Sequence, residues 1–447
     1  MAQAACIAGS SGPSSRATSA GSASSGAGSP PPPSIVDRAL GPYRSVTRFL
    51  ERRALVRAAR AVPRTLRFIA TTAVHGTVAG AVGAPRHSPG LAVGVAADEA
   101  FLAMAMAPSR FPRRADYARV SGELAEAEQL FSTRGWIDRP ASYHRSPPPL
   151  EDAELQSSRG WAMGLGYERI TFESGFAPRT GEPGAERWMG YEPNRRAVAT
   201  IVRHPERDGP RPWLVSVHGF AMGYPFMDFL GLRTATVHHA LGFNVALPVL
   251  PLHGSRKVTR VSGEPFLSFD LMNSVHGFSQ AIWDLRRLLT WIRAQGAESV
   301  SLYGVSLGAY VVSLLAGIED GIDSVVAGIP MVDLPALFHE LSPAHVRARS
   351  IEHNVIGGPA ETVFVPVSPL RFAPKVPHEG RFIFAGRGDR LANPAHAHRL
   401  WEHWDRPPIS WYWGSHVGYL WSRQVATFLE DSLATTRPHR LSLQEAG

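Results

Sequence analysis

The feature that most constrains this chain is the pentapeptide GVSLG at residues 304–308. A short apolar run, Ser299 to Tyr303, leads into it, and the apolar stretch Leu307 to Leu315 leads out of it. This pattern predicts a strand, a tight turn and a helix, with Ser306 at the turn. A serine held on such a strained turn leaves room only for very small side chains two positions before and after it, where the glycines stand. We therefore predict that Ser306 is a nucleophile.

Short apolar runs alternate with longer amphipathic segments after residue 161, which predicts an α/β fold built on a mostly parallel sheet. The first two predicted strands are expected to open the sheet in antiparallel pairing. The predicted strands are Tyr167 to Phe172, Arg196 to Arg203, Trp213 to Val217, Phe243 to Val249, Ser299 to Tyr303, Ser324 to Ile329, Arg381 to Phe384 and Ile409 to Trp413. Besides the helix after Ser306, helices are predicted at His276 to Ile292, Ala395 to Trp404 and Tyr419 to Ser432.

Two residues further along the chain can complete a nucleophilic triad. A serine hydroxyl is a weak nucleophile until a base accepts its proton, and the base needs an orienting carboxylate. Asp389 follows the predicted strand Arg381 to Phe384, and His416 follows the last predicted strand. Both stand at strand ends, where the active sites of such sheets form. We predict that Asp389 is the acid and His416 the base.

Each assignment has a rival. Asp333 follows the predicted strand Ser324 to Ile329 and is the alternative acid, and Asp389 can instead be read as a cap of the next helix. His403 is the alternative base, although it falls inside a predicted helix.

A nucleophile of this kind also needs backbone N–H groups for the oxyanion that forms on the substrate. Leu307, directly after the nucleophile, offers one donor. The second is expected from the segment HGFAMG at residues 218–223, which follows the strand Trp213 to Val217. We assign this donor to Phe220, with Ala221 as the alternative.

Residues from about 165 to 435 resemble the α/β-hydrolase superfamily in strand order, oxyanion loop, elbow, acid and histidine. The resemblance implies a central sheet flanked by helices, with Ser306 as nucleophile, His416 as general base and acid, and Asp389 as its orienting acid. It implies acyl transfer without a cofactor. We expect a carboxylic ester hydrolase acting on a small-molecule or lipid-like ester. The alternatives are a serine peptidase or amidase of the same fold, and a membrane-associated binding protein that keeps the fold without turnover.

The segment of roughly 50 residues between the strands Ser324 to Ile329 and Arg381 to Phe384 can fold over the site as a lid. Its apolar side chains suit a hydrophobic acyl group, although ordinary packing is the simpler interpretation. These side chains are Leu334, Leu337, Phe338 and Leu341.

The sequence divides into four regions by composition. We expect a disordered tail rich in Ser, Gly, Ala and Pro at residues 1–34, a helical accessory region at 35–160, the catalytic domain at 161–435 and a flexible tail at 436–447. The accessory region contains an arginine-rich helix at about 53–67 and the uncharged run Phe68 to Pro85, which we interpret as a buried helix. A second apolar run, Leu91 to Met106, is expected to pack with it.

Charge and residue counts exclude several classes of partner. The net charge is +8, but only two of the 46 basic residues are lysines and no recognition motif accompanies them, so nucleic-acid binding is not expected.

Cysteine and histidine positions exclude other features. The single cysteine, Cys6, rules out an internal disulfide, and no histidine pair has the spacing of metal ligands on a helix. We expect no metal, no secretory signal and a cytoplasmic protein. The arginine-rich N-terminal region can either contact a membrane surface peripherally or form the solvated face of a packed helix. The sequence leaves the oligomeric state open.

Overall fold

A computed structural model of the chain describes residues 89–105, 112–206 and 209–435. The predictions for residues 1–34, for the arginine-rich helix, for Phe68 to Pro85 and for residues 436–447 lie outside these ranges. Across the described ranges, no helix has the length and apolar character needed to cross a membrane.

Nine strands form one sheet in the order β1-β2-β3-β5-β4-β6-β7-β8-β9. The pairs β1–β2, β2–β3 and β3–β5 are antiparallel, and every pair from β5–β4 to β8–β9 is parallel. The α/β class and the antiparallel opening of the sheet are thereby confirmed. The strands are β1 (Gln156–Ala162), β2 (Leu165–Glu173), β3 (Arg196–Val202), β4 (Trp213–Val217), β5 (Asn244–Val249), β6 (Val300–Val305), β7 (Ser324–Gly328), β8 (Arg381–Gly386) and β9 (Ile409–Tyr412).

The central strands were predictable because their apolar runs are buried on both faces, as parallel sheets require. Strand β1 was not predicted. It lies at the edge of the sheet, its residues are mostly polar, and most of them are exposed, so it carries no apolar signal. The sheet therefore begins at Gln156, earlier than the boundary expected at residue 161.

Helices cover both faces of the sheet. A large apolar cluster contains buried residues of α2, α5, α6 and α10, and a smaller cluster contains buried residues of α4 and α11. The helices are α1 (Pro89–Ala105), α2 (Arg114–Thr133), α3 (Ala185–Met189), α4 (Pro225–Gly231), α5 (Leu271–Ala294), α6 (Leu307–Ile318), α7 (Leu334–Leu341), α8 (Ala344–Glu352), α9 (Pro359–Val363), α10 (Pro394–His403) and α11 (Arg423–Thr435).

Four connections leave the carboxyl ends of parallel strands on the same edge of the sheet. They follow β4, β6, β8 and β9, and they carry the predicted oxyanion loop, Ser306, Asp389 and His416. Because neighbouring parallel strands end at the same edge, this topology gathers residues that are far apart in sequence.

Candidate active site

Ser306 occupies a strained turn between β6 and α6. Its φ is +56° and its ψ is −115°, a backbone conformation that residues other than glycine rarely adopt. Glycine is required at the two flanking positions, because a side chain there would clash with the backbone. A Cβ on Gly308 would lie 2.0 Å from the carbonyl oxygen of Val217, and a Cβ on Gly304 would lie 2.3 Å from the carbonyl oxygen of Gly308. The turn therefore has the strained strand-to-helix geometry that the pentapeptide predicts.

His416 and Asp389 form a buried pair. The Nδ1 atom of His416 lies 2.7 Å from Oδ2 of Asp389, and both side chains are almost completely buried. The other carboxylate oxygen, Oδ1, accepts hydrogen bonds from the backbone N–H groups of Leu391 (2.9 Å) and Ala392 (2.8 Å). An ionised Asp389 accepts only, so Nδ1 carries the proton and Nε2 is left as the acceptor. This is the tautomer that a general base needs.

The environment of His416 raises the pKa of its imidazole. Burial alone would lower this pKa, but the charge of Asp389, the hydrogen bond to it and the charge of Asp98 outweigh burial. The pKa of His416 therefore lies above its ordinary value of 6.5.

The rival residues point elsewhere. Asp333 caps α7 by accepting a hydrogen bond from the N–H of Ala336, and its second oxygen pairs with Arg399 at 2.6 Å. The Nε2 atom of His403 lies 2.8 Å from the carbonyl oxygen of Phe372. The structure thus brings Asp389, and not Asp333, to the histidine that follows β9.

The predicted oxyanion loop, residues 218–223, packs against the turn that carries Ser306. A Cβ on Gly219 would lie 3.4 Å from the carbonyl oxygen of Val305 and 3.6 Å from Cβ of Ser306. Within the described ranges, no acceptor contacts the backbone N–H of Phe220 or that of Leu307, so both donors are available. Phe220 also lines the same cavity as Ser306, whereas Ala221 does not.

Two buried side chains hold this loop in place. The ring of His218 contacts the carbonyl oxygen of Gly219 through Nδ1 at 2.8 Å and accepts from the N–H of Leu250 through Nε2 at 3.1 Å. Asp228 accepts a hydrogen bond from the N–H of Gly223 at 3.0 Å. Loop geometry is therefore fixed from both ends before a substrate binds, as preorganised stabilisation of an oxyanion requires.

Ser306 and His416 line one mostly apolar cavity of about 150 Å³. Three of the four apolar side chains that the sequence singled out lie on its wall, all from α7, whereas Leu334 does not line it. The other wall residues are Phe101, Phe220, Glu264, Leu267, Met331, Ser342, Leu391 and Ala392.

One part of this site was missed from the sequence. Helix α1 contributes Phe101 to the cavity wall, and its Asp98 accepts hydrogen bonds from the loop that carries His416. A signal was available, because Asp98 and Glu99 are the only charged residues in the apolar run Leu91 to Met106. Carboxylates in an apolar helix are rarely buried without a partner.

Among the residues that the structure describes, no group of three or more His, Cys, Asp or Glu side chains is placed to hold a metal ion.

Comparison with known proteins shows the family. No family model matches the chain. An uncharacterized protein of Mycobacterium tuberculosis is 42% identical over 322 residues, which cover 71% of this chain and 75% of that protein, and its counterpart in a second strain is 41% identical over the same length. The chain belongs to the family of these mycobacterial proteins. The strand order of the sheet and the strained turn at Ser306 agree with the resemblance that the sequence indicates.

Solved structures similar to this chain include acetyl xylan esterase 1 from Thermoanaerobacterium sp., with a TM-score of 0.49 and 16% identity; the match covers 68% of this chain and 93% of the esterase. An acylaminoacyl peptidase from Pyrococcus horikoshii matches with a TM-score of 0.39 and 13% identity, covering 62% of this chain and 40% of the peptidase.

Proposed function

We propose that this chain is an α/β hydrolase that uses Ser306 as its nucleophile and cleaves carboxylic esters of a short apolar acyl group through an acyl-enzyme. One observation carries the proposal. Ser306, on its strained turn, lines the same apolar cavity as His416, whose Nδ1 is bound to buried Asp389. A nucleophile, a base and an orienting acid at one cavity form the constellation used for acyl transfer.

Acylation begins when Oγ of Ser306 attacks the ester carbonyl carbon while Nε2 of His416 takes the hydroxyl proton. The negative charge that develops on the carbonyl oxygen is stabilised by the N–H groups of Phe220 and Leu307. The ester C–O bond then breaks, and His416 gives its proton to the departing alkoxide. The imidazolium that exists between these steps is stabilised by Asp389.

Deacylation repeats the same chemistry with water as the nucleophile. His416 removes a proton from water as its oxygen attacks the acyl carbon, and the oxyanion is again held by the two backbone donors. The bond between the acyl carbon and Oγ then breaks, Ser306 regains its proton from His416, and the carboxylic acid leaves.

The cavity supports the choice of acyl group. Its volume of about 150 Å³ is smaller than the roughly 300–1,000 Å³ of pockets for drug-sized ligands. Each buried methylene contributes about 0.8 kcal/mol, or about fourfold in binding, until the cavity is full. Acyl groups of a few carbons should therefore react faster than both acetyl and long-chain groups.

Hydrolysis of a graded ester panel tests the proposal. We expect kcat/KM of the full chain to rise from p-nitrophenyl acetate to the butyrate and to fall for the palmitate, and Ser306→Ala to lose this activity while remaining folded. The matching p-nitroanilides test the amidase alternative. Activity that persists in Ser306→Ala, no ester turnover by folded protein, or faster turnover of the anilides would each contradict the proposal.

A further inference from the structure

Helix α1 packs directly on the two loops that carry Asp389 and His416. A Cβ on Gly388, beside Asp389, would lie 2.4 Å from Cδ1 of Leu91, and a Cβ on Gly94 would lie 2.6 Å from Oγ of Ser415. These approaches leave no room for an intervening side chain. The helix also forms an ion pair with the acid loop, since Glu99 lies 3.2 Å from Arg390.

Asp98 joins α1 to the histidine loop by hydrogen bonds. Its side chain is fully buried. Oδ2 accepts a hydrogen bond from the backbone N–H of His416 at 2.8 Å, and Oδ1 accepts one from Val417 at 3.0 Å. Hydrogen bonds to an ionised, buried carboxylate are stronger than those between neutral groups. One side chain therefore fixes two successive peptide groups at the point where the imidazole is attached.

We propose that Asp98 is a positioning residue of the active site: it holds the His416 loop through these two hydrogen bonds and places a second carboxylate, besides Asp389, near the imidazole. The inference rests on the proposed function, because positioning matters only if His416 acts as the base. Asp98 acts through His416 and does not line the cavity. Phe101, one helical turn later, does line it, so α1 both forms the wall and holds the base.

The charges around this carboxylate agree with such a role. Burial and the charge of Asp389 raise the pKa of Asp98 to about 6, although His416 and the two backbone N–H groups lower it. The other charged or titratable groups here are the Glu99–Arg390 pair and Tyr412, whose hydroxyl donates to the carbonyl oxygen of Ser415. An imidazolium formed at His416 therefore faces two carboxylates.

The test compares Asp98→Asn with the matched control Glu99→Gln in the full chain. Both variants convert a buried carboxylate of α1 to an amide, but only the first removes a charge that raises the pKa of His416. The titration of His416 is followed by NMR with labelled histidine and assigned from the signal lost in His416→Gln. The acidic limb of the kcat/KM profile is measured in parallel.

For Asp98→Asn we expect the titration midpoint of His416 and the acidic limb to move together to lower pH. We also expect kcat to fall by up to about 100-fold from misplacement of the base, with less effect on KM. Glu99→Gln should keep the midpoint of the parent. A folded Asp98→Asn with an unmoved midpoint overturns the inference, whatever its kcat. If this variant does not fold, Asp98→Ser, a smaller neutral acceptor, makes the same comparison.

The NMR titration separates this inference from the proposed function because it needs no turnover. A midpoint that moves in a chain without esterase activity supports the contact between Asp98 and His416 and contradicts the proposed function. Esterase activity with an unmoved midpoint contradicts only the role of Asp98.

Discussion

Ser306 stands at a backbone conformation that costs on the order of 1–3 kcal/mol for a residue with a side chain. The surrounding packing enforces it, because the backbone on both sides of the serine touches neighbouring strands and loops. The turn that results places the hydroxyl of Ser306 at the carboxyl end of β6. At the scale of single residues, two substitutions, each with a control, and one pH profile test these assignments.

Asp389→Asn should lower kcat/KM for the ester by about ten-thousand-fold while the chain stays folded. An asparagine keeps the shape of the side chain but presents an amide to Nδ1, which favours the wrong tautomer of His416. The matched control is Asp333→Asn, which removes the carboxylate paired with Arg399 and should change kcat/KM by no more than a few fold. Equal losses in both variants would argue against Asp389 as the orienting acid.

The raised pKa of His416 predicts the pH dependence. The base acts in its neutral form, so activity is present above the pKa of His416 and is lost as pH falls through it. Because this pKa lies above 6.5, kcat/KM should show an acidic limb with its midpoint above pH 6.5. A profile that stays flat down to pH 5 would mean that His416 is not the base.

Gly308→Ala should destabilise the chain by about 1–3 kcal/mol, because the new methyl group would overlap the carbonyl oxygen of Val217. Gly122→Ala is the control. A Cβ on Gly122, inside α2, would meet nothing within 4 Å, so this change should stabilise the helix by roughly 0.5–1 kcal/mol. Chemical denaturation measures the free energy of unfolding of both variants. We expect it to fall for Gly308→Ala and to rise for Gly122→Ala.

Residue-scale expectations from the sequence rest on local patterns. The elbow, the acid and the histidine each follow a buried strand, and the structure brings Asp389 to His416 as expected. The local pattern around Asp98 indicates a buried carboxylate that needs a partner, but it does not identify the partner. His416 lies 318 positions later, and no local pattern reports a contact between residues so far apart.

At the scale of elements, buried strands were predictable and exposed ones were not. Strands β4, β6 and β7 are apolar along their whole length because both faces are covered, whereas β1 is polar and open to solvent. Helix α7 was ambiguous for another reason. Its apolar side chains fit either the core or a substrate cavity, and only tertiary packing decides between them.

Because α7 forms part of the cavity wall, a smaller side chain on α7 should change the preferred length of the acyl chain. Phe338→Ala should enlarge the cavity and raise the ratio of kcat/KM for p-nitrophenyl octanoate over the butyrate by roughly tenfold. Phe226→Ala removes the same ring from an exposed position outside the cavity and should leave the ratio unchanged. An unchanged ratio in Phe338→Ala would mean that this cavity does not receive the acyl group.

At the scale of the whole molecule, the described region before the sheet is packed into the same apolar core as the sheet. Helix α2 contributes five buried residues to the large apolar cluster, namely Tyr117, Val120, Leu124, Ala127 and Phe131. Their burial is worth roughly 5–10 kcal/mol, comparable to the net stability of about 5–15 kcal/mol of a typical domain. The amino-acid composition changes near residue 161, but residues on both sides of this position belong to one apolar core.

A fragment that begins at residue 161 should therefore lose cooperative thermal unfolding, whereas one that begins at residue 89 retains α1 and α2 and should keep it. Calorimetry on the two fragments makes the comparison. A fragment from residue 161 that unfolds as cooperatively as the longer one would show that the two helices are accessory to the fold.

Labelling with a fluorophosphonate tests whether Ser306 can form a covalent intermediate. The reagent phosphonylates a serine only when a neighbouring base activates its hydroxyl. We predict one adduct on the native full chain, mapped to Ser306 by mass spectrometry and absent from Ser306→Ala and from heat-denatured protein. No adduct on folded protein, or an adduct that persists in Ser306→Ala, would contradict the account.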